Sequence, residues 1–286
     1  MSIESPPFHV LQRDGKEISL GALCEPREAL FKKPPTLGLV IGTFAAVPYI
    51  HLQLEARRRF YPSVPMLVHD DCSARSDELR SLCGDYGAEF EKNMARSPAC
   101  KGDLSAFAGG LIWAQEQGLD VLVKLSRRFL PLVDWTTSLS SLAMESQYST
   151  YCSWTTSFNF GFRSECVGLS VRDWFEYRLV HEIANRILAP GEPFVEGFLH
   201  NLARRAAAFN CKAARAYDER VGARPSDKDG YAVWEFMGTD RRQRTENYLW
   251  HDWARPEEYY ALGKGWGLPY RYEDYADPNS GYGSRP

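Results

Sequence analysis

The chain has 286 residues, 44% of them apolar and 25% charged, which excludes an intrinsically disordered chain, a collagen and a coiled coil. One large domain or two small ones is expected at this length, with enough core to fold without a disulfide or metal staple. A net charge of −3 disfavours a protein that grips nucleic acid by global electrostatics.

Residues 1–35 read as a leader bracketed by Pro6-Pro7 and Pro34-Pro35. Leu37 to Gly42 is a short run apolar on both alternating faces, the pattern of a buried parallel strand. Thr43 to Val47 is a turn, Pro48 suits a first helical position, and a helix runs to Phe60 before Tyr61-Pro62. Val64 to Val68 is a second strand ending in His69-Asp70-Asp71-Cys72-Ser73. Ser76 is a candidate N-cap for a helix carrying Leu79, Leu82, Cys83 and Tyr86 and closed by Gly87. Ala88 to Glu91 is a third strand. Asp103 caps a helix with Leu104, Phe107, Ala108, Leu111 and Ile112 on one face, ended by Gly118. Asp120 to Leu125 is a fourth strand.

Strands alternating with helices imply βαβ units and an α/β fold with a mostly parallel central sheet flanked by helices. Ligands of such sheets bind outside the carboxyl ends of the strands. Thr43-Phe44, Asp70-Asp71 and Ser126-Arg127-Arg128 occupy such ends. After Pro131 the pattern becomes more helical. Tyr151 to Phe162 is strand or loop, Val171 to Leu188 and Phe194 to Tyr217 are helices, and 222–230 is a polar loop. Arg241 to Trp253 and Pro256 to Lys264 are helices, and 274–286 is a loose tail. Seven scattered cysteines without a C-x-x-C read as reduced, buried thiols. No run reaches the roughly 20 apolar residues of a membrane span, and Met1 to Val10 has no signal pattern, so a cytoplasmic location is expected.

The first strand lacks a following G-x-G-x-x-G, and no P-loop, G-x-S-x-G elbow or H-E-x-x-H is present. The order Leu39-Val40-Ile41-Gly42-Thr43-Phe44, helix, Met66-Leu67-Val68-His69-Asp70-Asp71-Cys72-Ser73 resembles the opening of GT-A fold glycosyltransferases, closest to the family 2 type. The resemblance covers roughly residues 36–135. It implies a nucleotide-sugar site in which Thr43 and Phe44 line the base. Asp70 or Asp71 would accept hydrogen bonds from base or ribose.

The family's fourth strand ends in Asp-x-Asp, which holds Mg²⁺ or Mn²⁺ on the diphosphate. Here the stretch is Val123-Lys124-Leu125-Ser126-Arg127-Arg128. The expectation is therefore a metal-independent transferase with no cofactor, in which Lys124, Arg127 and Arg128 neutralise the departing diphosphate. An inverting reaction needs a carboxylate base. Glu196 is the candidate, with Glu165 the runner-up. His251, in Tyr248-Leu249-Trp250-His251-Asp252-Trp253, is the candidate histidine near the diphosphate.

Arg57-Arg58-Arg59, Arg204-Arg205 and Arg241-Arg242 read as solvated charge, with a polyanionic acceptor the sharper alternative. The expected organisation is a nucleotide-sugar-binding half over 36–135 and a more helical acceptor half over 136–273. The expected partners are a nucleotide-sugar and an acceptor hydroxyl of unassigned kind. A non-catalytic nucleotide- or carbohydrate-binding relative and a phage-type DNA-modifying glycosyltransferase are the alternatives.

Overall fold

The structure, a computed structural model, describes residues 10–13, 16–19, 30–98, 101–146, 148–154, 162–191, 194–209, 231–234, 245–251 and 253–276. A hairpin of β1 (Val10–Arg13) and β2 (Lys16–Ser19) lies within the expected leader. The expected βαβ succession follows: β3 (Leu37–Thr43), α1 (Val47–Phe60), β4 (Met66–Asp70), α2 (Ser76–Asp85), β5 (Glu89–Lys92), α3 (Lys101–Glu116) and β6 (Val121–Ser126). Then come β7 (Phe129–Pro131), α4 (Thr136–Glu145), β8 (Thr150–Trp154), β9 (Phe162–Ser170), α5 (Val171–Glu176), α6 (Leu179–Leu188) and α7 (Val195–Phe209). The last described elements are β10 (Ala232–Val233), β11 (Tyr248–Trp250), α8 (Pro256–Gly265) and α9 (Tyr272–Ala276).

Seven strands form one sheet in the order β10-β8-β9-β6-β3-β4-β5. β5, β4, β3 and β6 are mutually parallel, β9 runs antiparallel between β6 and β8, and β10 is parallel to β8. The fold is thus α/β as expected: a mostly parallel sheet with helices on both faces. Alternation along the strands divides the core. Leu39, Ile41, Val121, Val123 and Leu125 pack with α1 and α2 on one face. Val40 and Leu122 pack with α3, α5, α6 and α7 on the other. α1 leaves β3 towards β4, whereas α3 returns across the sheet to β6. The chain therefore switches direction between β3 and β6, which opens a crevice at their carboxyl ends.

Several boundaries depart from the sequence reading. Ser76 is the first residue of α2 rather than its cap, because its hydroxyl is engaged by Asp70 Oδ2 and the Ser73 carbonyl. Asp103 lies inside the first turn of α3. The helix expected over Val171 to Leu188 breaks at Arg178, which takes a left-handed φ of 57° between α5 and α6. Tyr248 to Trp250, expected as helix, is a strand because it pairs antiparallel with β7. α9 occupies the start of the expected loose tail, and 277–286 lies outside the described residues, as do 210–230 and 241–244. No described helix is long and apolar enough to cross a membrane.

Candidate functional site

The crevice is a cleft of about 200 Å³ lined by Gly42, Thr43, Phe44, Asp71, Arg96, Ser97, Pro98, Gly102, Asp103 and Arg127. Three strand ends and one helix end build it. Thr43 closes β3, and its carbonyl accepts from the Asp71 amide at 2.9 Å, tying the first strand end to the second. The Thr43 hydroxyl is buried and has no partner among the described residues. Phe44 follows, with the Arg96 guanidinium 3.9 Å above its ring.

Asp71 is held from below. Its Oδ1 accepts from Asn93 Nδ2 at 2.8 Å and from the Ser97 amide at 3.0 Å. Its other oxygen faces the start of α3, where a Cβ on Gly102 would fall 2.5 Å away. Only glycine lets the helix start come this close to the carboxylate. Gly42 does the same job one layer down, since a Cβ there would sit 2.8 Å from the Ala106 Cβ. Together these glycines bring the N-terminal turn of α3 onto the cleft.

Arg127 opens the turn after β6. The residue is half-buried, and its Nε is buried without a hydrogen-bond partner among the described residues. Burial pulls its pKa down to about 10, with the neighbouring Arg128 charge adding to the effect and Asp103 opposing it. The group stays charged at neutral pH, yet its charge is poorly solvated. A half-buried, incompletely partnered guanidinium favours an incoming anion. Two non-glycine residues with left-handed backbone flank the cleft residues, Ala45 at φ 54° and Cys72 at φ 60°. Each costs on the order of 1–3 kcal/mol and persists only where the surroundings impose it.

Of the residues singled out from sequence, Thr43, Phe44, Asp71 and Arg127 meet on this wall. The others do not line it. Asp70 is fully buried and accepts from the Ser73 amide, the Ser73 hydroxyl and the Ser76 hydroxyl, at 3.0, 3.1 and 2.6 Å. It secures the turn into α2. Lys124 is fully buried, because alternation along β6 turns it to the α3 face. There it forms an ion pair with Asp103 and donates to the Ser164 carbonyl at 3.1 Å. It acts as the counter-ion of a cleft carboxylate rather than as a free cation. Arg128 is half-buried, and its carbonyl accepts from the Tyr259 hydroxyl at 2.6 Å. His251 follows Trp250, whose strand partner is Phe129, so it lies near the Arg127-Arg128 turn without lining the cleft.

Glu196, in the first turn of α7, accepts from the Ser164 hydroxyl at 3.3 Å. Among the described residues, Ser164, Lys124 and Asp103 link it to the cleft. Glu165 is buried against Arg163, and burial raises its pKa, with Arg163 opposing. Arg96, Ser97, Pro98, Gly102 and Asp103 were not singled out as site residues. The available signals were a Ser-Pro shortly before an apolar helix, a Gly-Asp in its first turn, and a lone lysine within an apolar strand.

The arginine run on α1 is absorbed by structure. Arg58 and Arg59 pair with Glu55, and Arg57 donates to the Val64 and Tyr86 carbonyls. Arg205 pairs with Glu182 at 3.3 Å, and 241–242 lies outside the described residues.

No family model and no curated protein sequence matches the chain. Among solved structures it is similar to the glycosyltransferase GlyE of Streptococcus pneumoniae, with a TM-score of 0.44 and 10% identity over 72% of this chain and 46% of that one. It is also similar to the mannosyltransferase PcManGT of Pyrobaculum calidifontis, solved with GDP-Man and Mn²⁺ (TM-score 0.40, 14% identity, 71% and 69% covered). A cytidylyltransferase of Leptospira borgpetersenii gives a TM-score of 0.45 and 12% identity over 85% and 93%. The chain spans just under half the length of GlyE.

Proposed function

We propose that the chain is a glycosyltransferase that moves a sugar from a nucleoside-diphosphate sugar to an acceptor hydroxyl. The observation that carries this reading is Arg127: a cleft-lining guanidinium whose buried Nε has no hydrogen-bond partner among the described residues, at the carboxyl edge of parallel strands beside the first turn of a helix. Guanidinium and helix N-terminus both favour phosphate oxygens. A diphosphate leaving group accumulates negative charge as the sugar bond breaks, and a preorganised cation stabilises that charge. Asp71 and Asp103 on the same wall are acceptors for ribose or sugar hydroxyls, and Phe44 offers a flat face to a base.

In this reading Arg127, rather than a divalent metal, clamps the diphosphate, and Asp103 is taken up by its ion pair with Lys124. Glu196, the base expected from sequence, touches Ser164 rather than the cleft. In this reading it acts as a positioning residue through Ser164, Lys124 and Asp103.

The test is a melting-temperature panel of UDP, GDP, CMP, TDP and their sugars, each with EDTA and with Mn²⁺. A ligand that binds only the folded form raises Tm by mass action. One nucleoside diphosphate should raise Tm regardless of EDTA, and its sugar should be hydrolysed or transferred. A shift that requires Mn²⁺ would overturn the role given to Arg127. No shift with any nucleotide would overturn the reading.

A further inference from the structure

A second cleft, of about 510 Å³, lies on the outer face of α1 and shares no lining residue with the first. Its size falls in the range of roughly 300–1,000 Å³ typical of small-molecule sites. Its walls are His51, Glu55 and Arg58 of α1, Asp85 and Tyr86 at the end of α2, and the Trp266-Gly267-Leu268-Pro269 turn after α8. The proposed transfer reaction makes no use of any of them.

The floor is rigidly wired. His51 bridges two hydroxyls, Tyr270 at Nδ1 (3.0 Å) and Tyr86 at Nε2 (2.8 Å). Tyr86 in turn donates to Glu55 Oε2 at 3.2 Å. Burial holds His51 below the usual imidazole range, with Glu55 and Asp85 opposing. Glu55 binds the Arg58 fork with both oxygens, at 2.8 and 2.6 Å, and takes Arg59 Nε at 2.5 Å. The Arg58 fork is thereby fixed through Nε and Nη2, and Nη1 makes no hydrogen bond among the described residues. The Asp85 carboxylate makes none there either. Trp266 lines the cleft, with the Arg59 guanidinium 5.0 Å from its ring centroid and the Phe60 ring tilted against it at 6.3 Å.

The charges balance: Glu55 and Asp85 against Arg58 and Arg59. A net anion or cation would gain little here. What the cleft offers is a flat indole and a phenol ring, two apolar side chains, and planar polar groups still able to bond, a carboxylate and a guanidinium nitrogen. This is the chemistry that recognises a pyranose, whose C–H face packs on an aromatic ring while vicinal hydroxyls meet planar donors and acceptors. We propose that this second cleft binds a neutral oligosaccharide, with Trp266 as the platform and Asp85 and Arg58 as the hydroxyl-reading groups. The proposal stands whether or not the first cleft holds a nucleotide-sugar.

The experiment is saturation-transfer NMR with a panel of neutral hexasaccharides (cello-, malto-, manno- and chito-oligosaccharides) at millimolar concentration. It compares the wild type with Asp85→Ala, Trp266→Ala and Arg127→Ala. At least one sugar should bind the wild type, and Asp85→Ala should weaken it roughly tenfold, the loss of one to two hydrogen bonds. Asp85 is exposed, so this variant reports on the cleft even if Trp266→Ala does not fold. Arg127→Ala should leave the affinity unchanged. Absence of binding by every sugar overturns the proposal, as does binding that survives Asp85→Ala but is lost in Arg127→Ala, which would assign the sugar to the first cleft.

Discussion

Lys124 and Asp103 form an unequal pair. The lysine is fully buried, whereas the Asp103 side chain is 31% exposed. Removing the acid strands a buried ammonium, while removing the base leaves an acid that water can reach. Asp103→Ala should therefore cost about 3–5 kcal/mol, and Lys124→Met, which keeps the volume, markedly less. Urea unfolding of both variants checks this, and equal losses would contradict the asymmetry. Arg127 is the opposite case, a charge kept incompletely satisfied at the cleft. Arg127→Ala should leave stability nearly unchanged or raise it, and weaken nucleoside-diphosphate binding by roughly tenfold to a hundredfold, the scale of one charge-assisted hydrogen bond. Calorimetric titration measures the affinity, and an unchanged Kd would remove Arg127 from the site. Both residues stand out in the sequence as cations in the stretch 124–128. Their opposite fates follow from strand alternation, which turns Lys124 inward, and from the end of β6, which releases Arg127 to the edge.

The start of α3 is the element on which the site depends. Gly102 lets it abut Asp71, and a methyl group at that position must displace either the carboxylate or the helix turn. Gly102→Ala should cost about 1–3 kcal/mol by overpacking and reduce ligand affinity together with stability. Thermal unfolding with and without the bound nucleotide would detect both effects. Elsewhere a strained residue offers the reverse. Arg178 holds a left-handed φ of 57° between α5 and α6. Arg178→Gly should relieve that strain and raise stability by up to about 1 kcal/mol, a Tm gain of about 2–4 °C. A lower Tm would show that the arginine side chain outweighs the strain. This break was invisible in sequence because the apolar periodicity runs through it. The strand at Tyr248 to Trp250 was misread for a related reason: three residues carry no usable period, and pairing with β7 alone makes them a strand.

At the scale of the molecule, acid stability is set in part by Glu55. Hydrogen bonds from Arg58, joined by Arg59 and opposed by burial, hold its carboxyl down at about 2, from an ordinary 4.5. A carboxyl with a depressed folded-state pKa contributes stability above its unfolded value and loses it as pH falls through the folded one. The stability difference between wild type and Glu55→Gln should therefore be constant above about pH 5 and shrink from pH 4.5 towards 2. A difference that stays constant through that window would contradict the assignment.

The periodicity of residues 37–125 was enough to read an α/β fold and the three strand ends that the cleft joins. Hydrophobic alternation and helix spacing are local properties, and Thr43, Phe44, Asp71 and Arg127 lie at ends that such patterns mark. Which polar residue faces the cleft was another matter. Asp70 and Asp71 are adjacent and chemically identical, yet one is consumed by Ser73 and Ser76 and the other borders the cleft. Arg96, Gly102 and Asp103 join the cleft because α3 crosses back over the sheet and packs against β3, and Glu196 stays behind Ser164 because α7 packs against β9. Contacts made between segments tens of residues apart leave no periodic trace in the chain that makes them.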